Sequence, residues 1–81
     1  LDLNPYVQNG SFTVFLQISV NQEAIFEVYT MQGALMHQEK VYLTPELDEQ
    51  VKLDVRNWGQ GIYIAVLRAG PAYKSVQVFI E

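Results

Sequence analysis

Apolar and polar residues alternate along most of this chain, and the alternation predicts β-strands. The longest regular stretch follows Gly10, and every second side chain in it is apolar: Phe12, Val14, Leu16, Ile18 and Val20. The residues between them are mostly polar, with Phe15 as the exception. Because successive side chains of a strand point to opposite faces, this pattern predicts a strand with one face buried.

Turn-forming residues divide the rest of the chain into further strands. The predicted strands cover residues 24–29, 34–42, 51–56, 62–67 and 75–80, and residues 1–4 are a candidate seventh. Between them lie Gln32-Gly33, Thr44-Pro45 and Gly70-Pro71, which are typical of turns, and Gly33 is expected at positive φ. Asn4-Pro5 and Asn9-Gly10 are interpreted as turns that enclose a short loop.

Two of these strands also carry information about their place in a sheet. The polar character of residues 34–42 predicts an edge strand, whereas residues 62–67 are apolar on both faces and predict a central strand covered on each side. No stretch has helical periodicity. Short strands separated by frequent turns favour an immunoglobulin-like Greek-key β-sandwich of about seven antiparallel strands. We expect residues 1–81 to form one such domain, cut from a longer protein.

Tyr63 and Trp58 sharpen the sandwich prediction. Tyr63 stands just inside a predicted strand, after the glycine-rich connection from Trp58 to Gly61. Greek-key sandwiches use a tyrosine in this position to bond back to upstream backbone and fix the crossover between the sheets. An ordinary interior tyrosine whose hydroxyl reaches solvent is the alternative. Trp58 is interpreted as a plug at the end of the sandwich.

Composition and charge narrow the classes of function. The chain has 81 residues, 49% of them apolar, and it contains no cysteine, so a thiol nucleophile and a thiolate metal site are excluded. The net charge of −4 does not suit nucleic acid or an anionic membrane surface. No apolar run approaches the roughly 20 residues that span a bilayer, so the chain is predicted not to cross a membrane.

Candidate chemistry is sparse, and we expect no enzyme and no cofactor. His37 is the single imidazole and lies in a strand pattern, which indicates a half-exposed strand residue rather than a catalytic base. Two interpretations fit the acidic side chains of one region, a calcium site or an ordinary solvated loop: Glu46, Asp48, Glu49 and Asp54. Some of the plentiful aromatic residues could form a sugar-stacking surface, as in small β-sandwich carbohydrate modules, but most are expected in the core: Tyr6, Phe15, Tyr29, Tyr42, Trp58, Tyr63, Tyr73 and Phe79.

The order of several short motifs resembles a known family. These motifs are Asn4-Pro5, residues 10–14, residues 26–33, residues 51–55, Gly61-Ile62-Tyr63 and the closing residues 74–78. Their order and spacing over essentially the whole chain resemble the C-terminal sorting domain of the type IX secretion system, a bacterial export route across the outer membrane.

The resemblance implies a signal that directs export of a covalently linked N-terminal cargo. It implies passage through the periplasm, recognition by the outer-membrane translocon, cleavage by a sortase, and delivery to the cell surface or the extracellular space. The positions that it marks for recognition are Asn4, Pro5, Gly33, Gly61, Tyr63, Lys74, Val76, Val78 and Ile80. Gly33 and Gly61 are interpreted as turn residues rather than as direct contacts of the translocon. A terminal strand with a free edge could also recruit a partner by strand addition. An accessory carbohydrate- or protein-binding module of an extracellular enzyme is the alternative.

Overall fold

Seven antiparallel strands form the fold. The computed structural model describes residues 1–8, 10–46 and 49–81. The strands are β1 (Asp2–Gln8), β2 (Ser11–Gln17), β3 (Gln22–Thr30), β4 (Leu35–Leu43), β5 (Glu49–Asp54), β6 (Gly61–Ala69) and β7 (Ala72–Ile80). Within the described residues no helix has the length and apolar character needed to cross a membrane.

The strands form two sheets joined by Greek-key crossovers. One sheet has the order β1-β2-β5 and the other has the order β4-β3-β6-β7. Hairpins connect β1 to β2, β3 to β4, and β6 to β7, while the connections after β2, β4 and β5 pass between the sheets. This arrangement confirms the predicted immunoglobulin-like β-sandwich. It also confirms that β4 is an edge strand and β6 a central one.

The core lies between the inner faces of the two sheets. Phe12, Val14 and Leu16 on β2 are fully buried, as are Phe26 and Val28 on β3. Burying a large apolar side chain stabilises the fold by about 1.5–3 kcal/mol relative to leaving it in water. The sequence contains no cysteine, so these contacts stabilise the sandwich without a disulfide.

The first strand corrects the prediction of a loop between two turns near the N-terminus. Asn4 and Pro5 lie inside β1, where Pro5 is opposite Val14 of β2. A proline lacks the N–H of a sheet ladder, but β1 is an edge strand and needs ladder bonds on one side only. Asn9, the first residue of the second predicted turn, lies outside the described residues.

The second strand is shorter than its alternation predicts. It ends at Gln17, which is opposite Asp2, the first residue of β1. Among the described residues its pairing with β5 extends from Ser11 to Leu16. Because β1 begins at Asp2, the ladder between β1 and β2 ends at Gln17, and Val20 is exposed between β2 and β3.

The central strand β6 is covered on its inner face and only in part on its outer face. Ala65 and Leu67 are fully buried in the core, whereas Ile62 on the opposite face is 43% exposed. Val66 on that outer face is buried, beside Glu27 of β3. The prediction that both faces are covered is therefore wrong at Ile62, because no third layer lies over this end of the sheet in the part of the chain that the structure describes.

The predicted hairpin turns are confirmed. The carbonyl of Thr30 accepts a bond of 3.0 Å from the N–H of Gly33, and the N–H of Thr30 donates to the carbonyl of Ala34 at 2.8 Å. Gly33 has φ +93°, as expected for the residue that closes such a three-residue loop. Gly70-Pro71 forms the two-residue connection between β6 and β7.

Candidate functional site

The hairpin of β6 and β7 brings together six of the nine positions marked for recognition. Gly61 lies opposite Ile80, Tyr63 opposite Val78, and the remaining two, Val76 and Lys74, are opposite Ala65 and Leu67 in the same register. The other three are elsewhere: Asn4 and Pro5 lie in β1 of the second sheet, and Gly33 lies in the turn between β3 and β4. The hairpin is therefore the candidate site.

Most of the marked side chains on this hairpin point into the core. Tyr63, Val78 and Ile80 are buried, and Val76 is half-buried and packs against the same core. Lys74 is exposed. Buried side chains position the strands, but a partner cannot touch them while the sandwich is folded. Contact with a partner must come from the strand edge and from the residues that alternate with the buried ones.

Tyr63 fixes the start of β6 as the sequence predicted. Its hydroxyl donates a hydrogen bond of 2.6 Å to the backbone carbonyl of Gly59, four residues upstream. The Trp58 ring packs on the Tyr63 ring at a centroid distance of 5.3 Å, and Trp58 is half-buried against the core. Gly61 has φ +155°, a conformation that side-chain-bearing residues rarely adopt. These contacts hold the crossover from β5 to β6 in one shape.

The outward face of β7 carries the accessible groups of the hairpin. Phe79 is 52% exposed, and Tyr73 is also exposed. Phe79 lies opposite the exposed Ile62, and together with Gln77 they line a shallow depression of about 220 Å³. β7 is the edge of its sheet and pairs with β6 alone among the described strands, so one side of its backbone is unpaired.

A comparison with protein families identifies the family of the whole chain. The model of the secretion system C-terminal sorting domain matches residues 8–81, nearly the whole chain. The chain belongs to this family. The family consists of non-catalytic sorting signals of the type IX secretion system, and it implies export to the cell surface or the extracellular space. No curated protein matches the chain.

The outer face of the larger sheet of this sorting domain also holds a buried carboxylate. Glu27 on β3 accepts a hydrogen bond of 2.8 Å from Arg68 Nε on β6, and one of 2.8 Å from the Tyr29 hydroxyl. Gln38 on β4 donates a third at 3.1 Å. Arg68, and then the Tyr29 hydroxyl, hold the pKa of Glu27 below its ordinary value despite the opposing effect of burial. We call these four residues the Glu27 network.

His37 lies on the edge strand of the sorting domain, as predicted for a half-exposed strand residue. Its Nε2 is 2.6 Å from Oε1 of Glu39, and its side chain is 28% exposed. Its ring also lies 6.3 Å from the ring of the buried Phe26. This arrangement gives the imidazole a carboxylate partner and an aromatic neighbour.

The acidic residues considered for calcium do not gather into one site within the described residues. Asp48 lies outside the described residues, Glu49 begins β5, and Asp54 ends it. Asp54 accepts two hydrogen bonds from the Arg56 side chain, at 3.0 and 2.7 Å, which lower its pKa to about 2. Over residues 1–8, 10–46 and 49–81, no three acidic or histidine side chains form a metal-binding group.

The expectation that most aromatic residues belong to the core is wrong. Five of the eight are exposed: Tyr6, Phe15, Tyr42, Tyr73 and Phe79. The sequence places these side chains on the outer faces of the strands, and a two-layer sandwich leaves both outer faces to solvent. The aromatic surface of the sorting domain is therefore larger than the sequence predicted.

Proposed function

We propose that this chain is the secretion signal of a larger cargo protein, read by the translocon of the type IX system at the edge and outward face of β7. In this proposal the cargo is covalently linked on the N-terminal side of the domain. The folded domain passes through the periplasm with its cargo and is engaged at the outer membrane. A sortase then removes it, and the cargo stays at the cell surface or is released.

The observation that carries the proposal is the unpaired edge of β7, which among the described strands is hydrogen-bonded to β6 alone. Unpaired N–H and C=O groups along an edge strand can accept a strand from another protein, which supplies affinity through backbone bonds. Exposed side chains that alternate along the strand then supply specificity. On β7 these side chains are Tyr73, Ser75, Gln77 and Phe79.

The marked positions divide into two roles in this proposal. Tyr63, Val78 and Ile80 are buried and, with the half-buried Val76, hold β7 in register. Gly33 closes the turn between β3 and β4, and Gly61 begins β6, both at positive φ. Lys74 is exposed and lies within reach of a partner. Asn4 and Pro5 lie in β1, which is next to β7 in space although the two strands belong to different sheets.

The proposal is tested by export of a reporter fused in front of residues 1–81. The fusion is produced in a strain with a working type IX system and in a strain that lacks the translocon. We expect the reporter outside the cell in the first strain only. A folded fusion that stays in the periplasm of both strains would overturn the proposal.

A substitution on the outward face of β7 locates the recognition surface. Phe79→Asp adds a charge to an exposed side chain of β7 and leaves the core intact, and we expect it to reduce export at least about fivefold. Tyr42→Asp is the matched control, because Tyr42 is 62% exposed on β4, the opposite edge of the same sheet. Equal loss for both variants, with both folded, would contradict recognition through β7.

Proline at Val78 is a less specific probe of the same strand. Val78 is buried opposite Tyr63, so Val78→Pro removes core contacts together with any ladder bond of its N–H. Loss of export by this variant would not separate unfolding from lost recognition. Phe79→Asp avoids this difficulty because its side chain lies outside the core.

A further inference from the structure

The outer face of the smaller sheet carries a trough that the proposed sorting function does not use. Its floor is the central strand β2, where Ser11 and Thr13 are short. Longer side chains rise on both sides, and Thr13 lies between Tyr6 of β1 and Lys52 of β5 in the register of the sheet. The resulting concavity, which we call the β2 trough, has a volume of about 470 Å³.

Two aromatic side chains border the β2 trough and face solvent. Tyr6 is 56% exposed and Phe15 is 40% exposed. Tyr6 lies opposite Thr13, two residues from Phe15, so the two rings are diagonal neighbours on adjacent strands, with Cα atoms about 7–8 Å apart. Neither ring belongs to the core cluster. Their exposure keeps apolar surface in water, which is unfavourable for the domain alone.

Amide side chains line the β2 trough on both sides, Gln8 on β1 and Gln50 on β5. The Tyr6 hydroxyl donates a hydrogen bond of 2.9 Å to Oε1 of Gln8, which ties the two side chains together. Because the Gln8 oxygen accepts this bond, its amide nitrogen is the group available for a ligand. Gln50 lies opposite Phe15 on the other side of the trough and offers a second amide.

The charge of the β2 trough is opposite in sign to that of the whole chain. Lys52 lines the trough, and no carboxylate is among its described lining residues, although the chain has a net charge of −4. The nearest acid along β5 is Asp54, which is engaged by the Arg56 guanidinium through two hydrogen bonds. A ligand in the trough therefore meets one uncompensated positive charge, which favours an anion.

We propose that the β2 trough binds an acidic oligosaccharide. The C–H face of a sugar ring packs on Tyr6 and Phe15, its hydroxyl groups bond to the amides of Gln8 and Gln50, and a uronate carboxylate pairs with Lys52. A peptide strand fits less well, because β2 is hydrogen-bonded to β1 and β5 on its two sides and the floor has no free backbone edge.

Affinity electrophoresis of the 81-residue chain tests this site. The protein is run through gels that contain polygalacturonate, alginate, hyaluronan, dextran or laminarin, and thermal unfolding establishes that each variant is folded. We expect at least one of the three acidic polysaccharides to retard the chain and the two neutral ones to leave it unaffected. Because electrostatic pairing is screened by salt, the retardation is expected to fall as the salt concentration rises.

Matched variants assign the binding to the trough. Tyr6→Ala and Lys52→Gln are each expected to weaken binding about tenfold, a loss expected when a stacking ring or the one paired charge is removed. Tyr42→Ala and Lys40→Gln are the controls, since both residues are exposed on β4 of the other sheet, and we expect them to bind normally.

Three outcomes would overturn the proposal. They are no retardation of the folded chain by any acidic polysaccharide, equal retardation by neutral ones, and equal loss of binding in the β4 controls. This experiment does not measure export of the reporter fusion. A negative binding result would therefore not count against the sorting proposal.

Discussion

The two outer faces of the sandwich differ in how far their interacting groups are exposed to solvent. On the larger sheet, the Glu27 carboxylate is buried by its own neighbours and accepts bonds from Arg68, Tyr29 and Gln38. On the smaller sheet, Tyr6 and Phe15 stand exposed beside the amides of the β2 trough. The first face buries a carboxylate among its own donors, whereas the second exposes aromatic rings and amides to solvent.

The difference separates residues that hold the fold from residues that can bind a ligand. A buried carboxylate that already accepts three hydrogen bonds is not available to an external partner. Removing it leaves the three donors without their acceptor. Substitution of an exposed group changes the free energy of unfolding little, because water replaces the contacts that the group made. Side chains of this outer face are exposed at both edges of the larger sheet: Tyr42 on β4, and Ile62 and Phe79 toward β7.

The largest effect is expected when the Glu27 network is broken. Glu27→Ala removes the shared acceptor of three hydrogen bonds, and we expect the free energy of unfolding to fall by about 2–3 kcal/mol. Urea unfolding at neutral pH measures it. Gln50→Ala, on the open face, is the control and is expected to change stability by less than about 0.5 kcal/mol. Equal losses in the two variants would remove the distinction between the faces.

A smaller effect is expected when the tyrosine hydrogen bond of the crossover from β5 to β6 is removed. Tyr63→Phe keeps the ring against Trp58 and removes the hydroxyl that donates to the Gly59 carbonyl. We expect a loss of about 1 kcal/mol in the free energy of unfolding. Urea unfolding of the variant checks it, and unchanged stability would mean that water satisfies the carbonyl equally well.

The Glu27 network also predicts a dependence of stability on pH. The pKa of Glu27 in the folded chain is lower than its ordinary value of 4.5, so the folded state binds the proton more weakly than the unfolded state. Its contribution to stability is therefore present above pH 4.5 and is lost as the pH falls through the folded pKa. Urea unfolding across this range should show a steeper loss for the native chain than for Glu27→Gln. Parallel curves would contradict the assignment.

Much of the fold could be predicted from local pattern. Alternation located the strands, turn chemistry located Gly33 and Gly70-Pro71, and the spacing of Tyr63 after a glycine-rich connection predicted its bond to upstream backbone. The sequence predicted only residues 1–4 of the strand Asp2–Gln8, because Asn4-Pro5 by itself is a turn signal. A proline is tolerated in a strand only at the edge of a sheet. Edge position is a property of the assembled sheet.

The candidate sites were less predictable, because they depend on pairing between distant residues. Arg68 reaches Glu27 across 41 positions of sequence, and no local pattern relates the two. Alternation alone placed Phe15 on the mostly polar face of its strand, but Tyr6 could be assigned to a face only once β1 was known to pair with β2. Alternation also cannot say whether an outer face is covered by another layer, so the aromatic residues were assigned to the core.

The substitution with the smallest expected effect on stability tests the outer face of the smaller sheet. Tyr6→Phe removes the hydroxyl that donates to Gln8 and keeps the ring that borders the β2 trough. Because both groups are exposed, we expect the free energy of unfolding to change by less than about 0.5 kcal/mol. The acidic polysaccharide should still be bound, but more weakly, because Gln8 is no longer held in place. A loss of stability as large as that of Tyr63→Phe would show that Tyr6 belongs to the structural residues, and the contrast between the two outer faces would then fail.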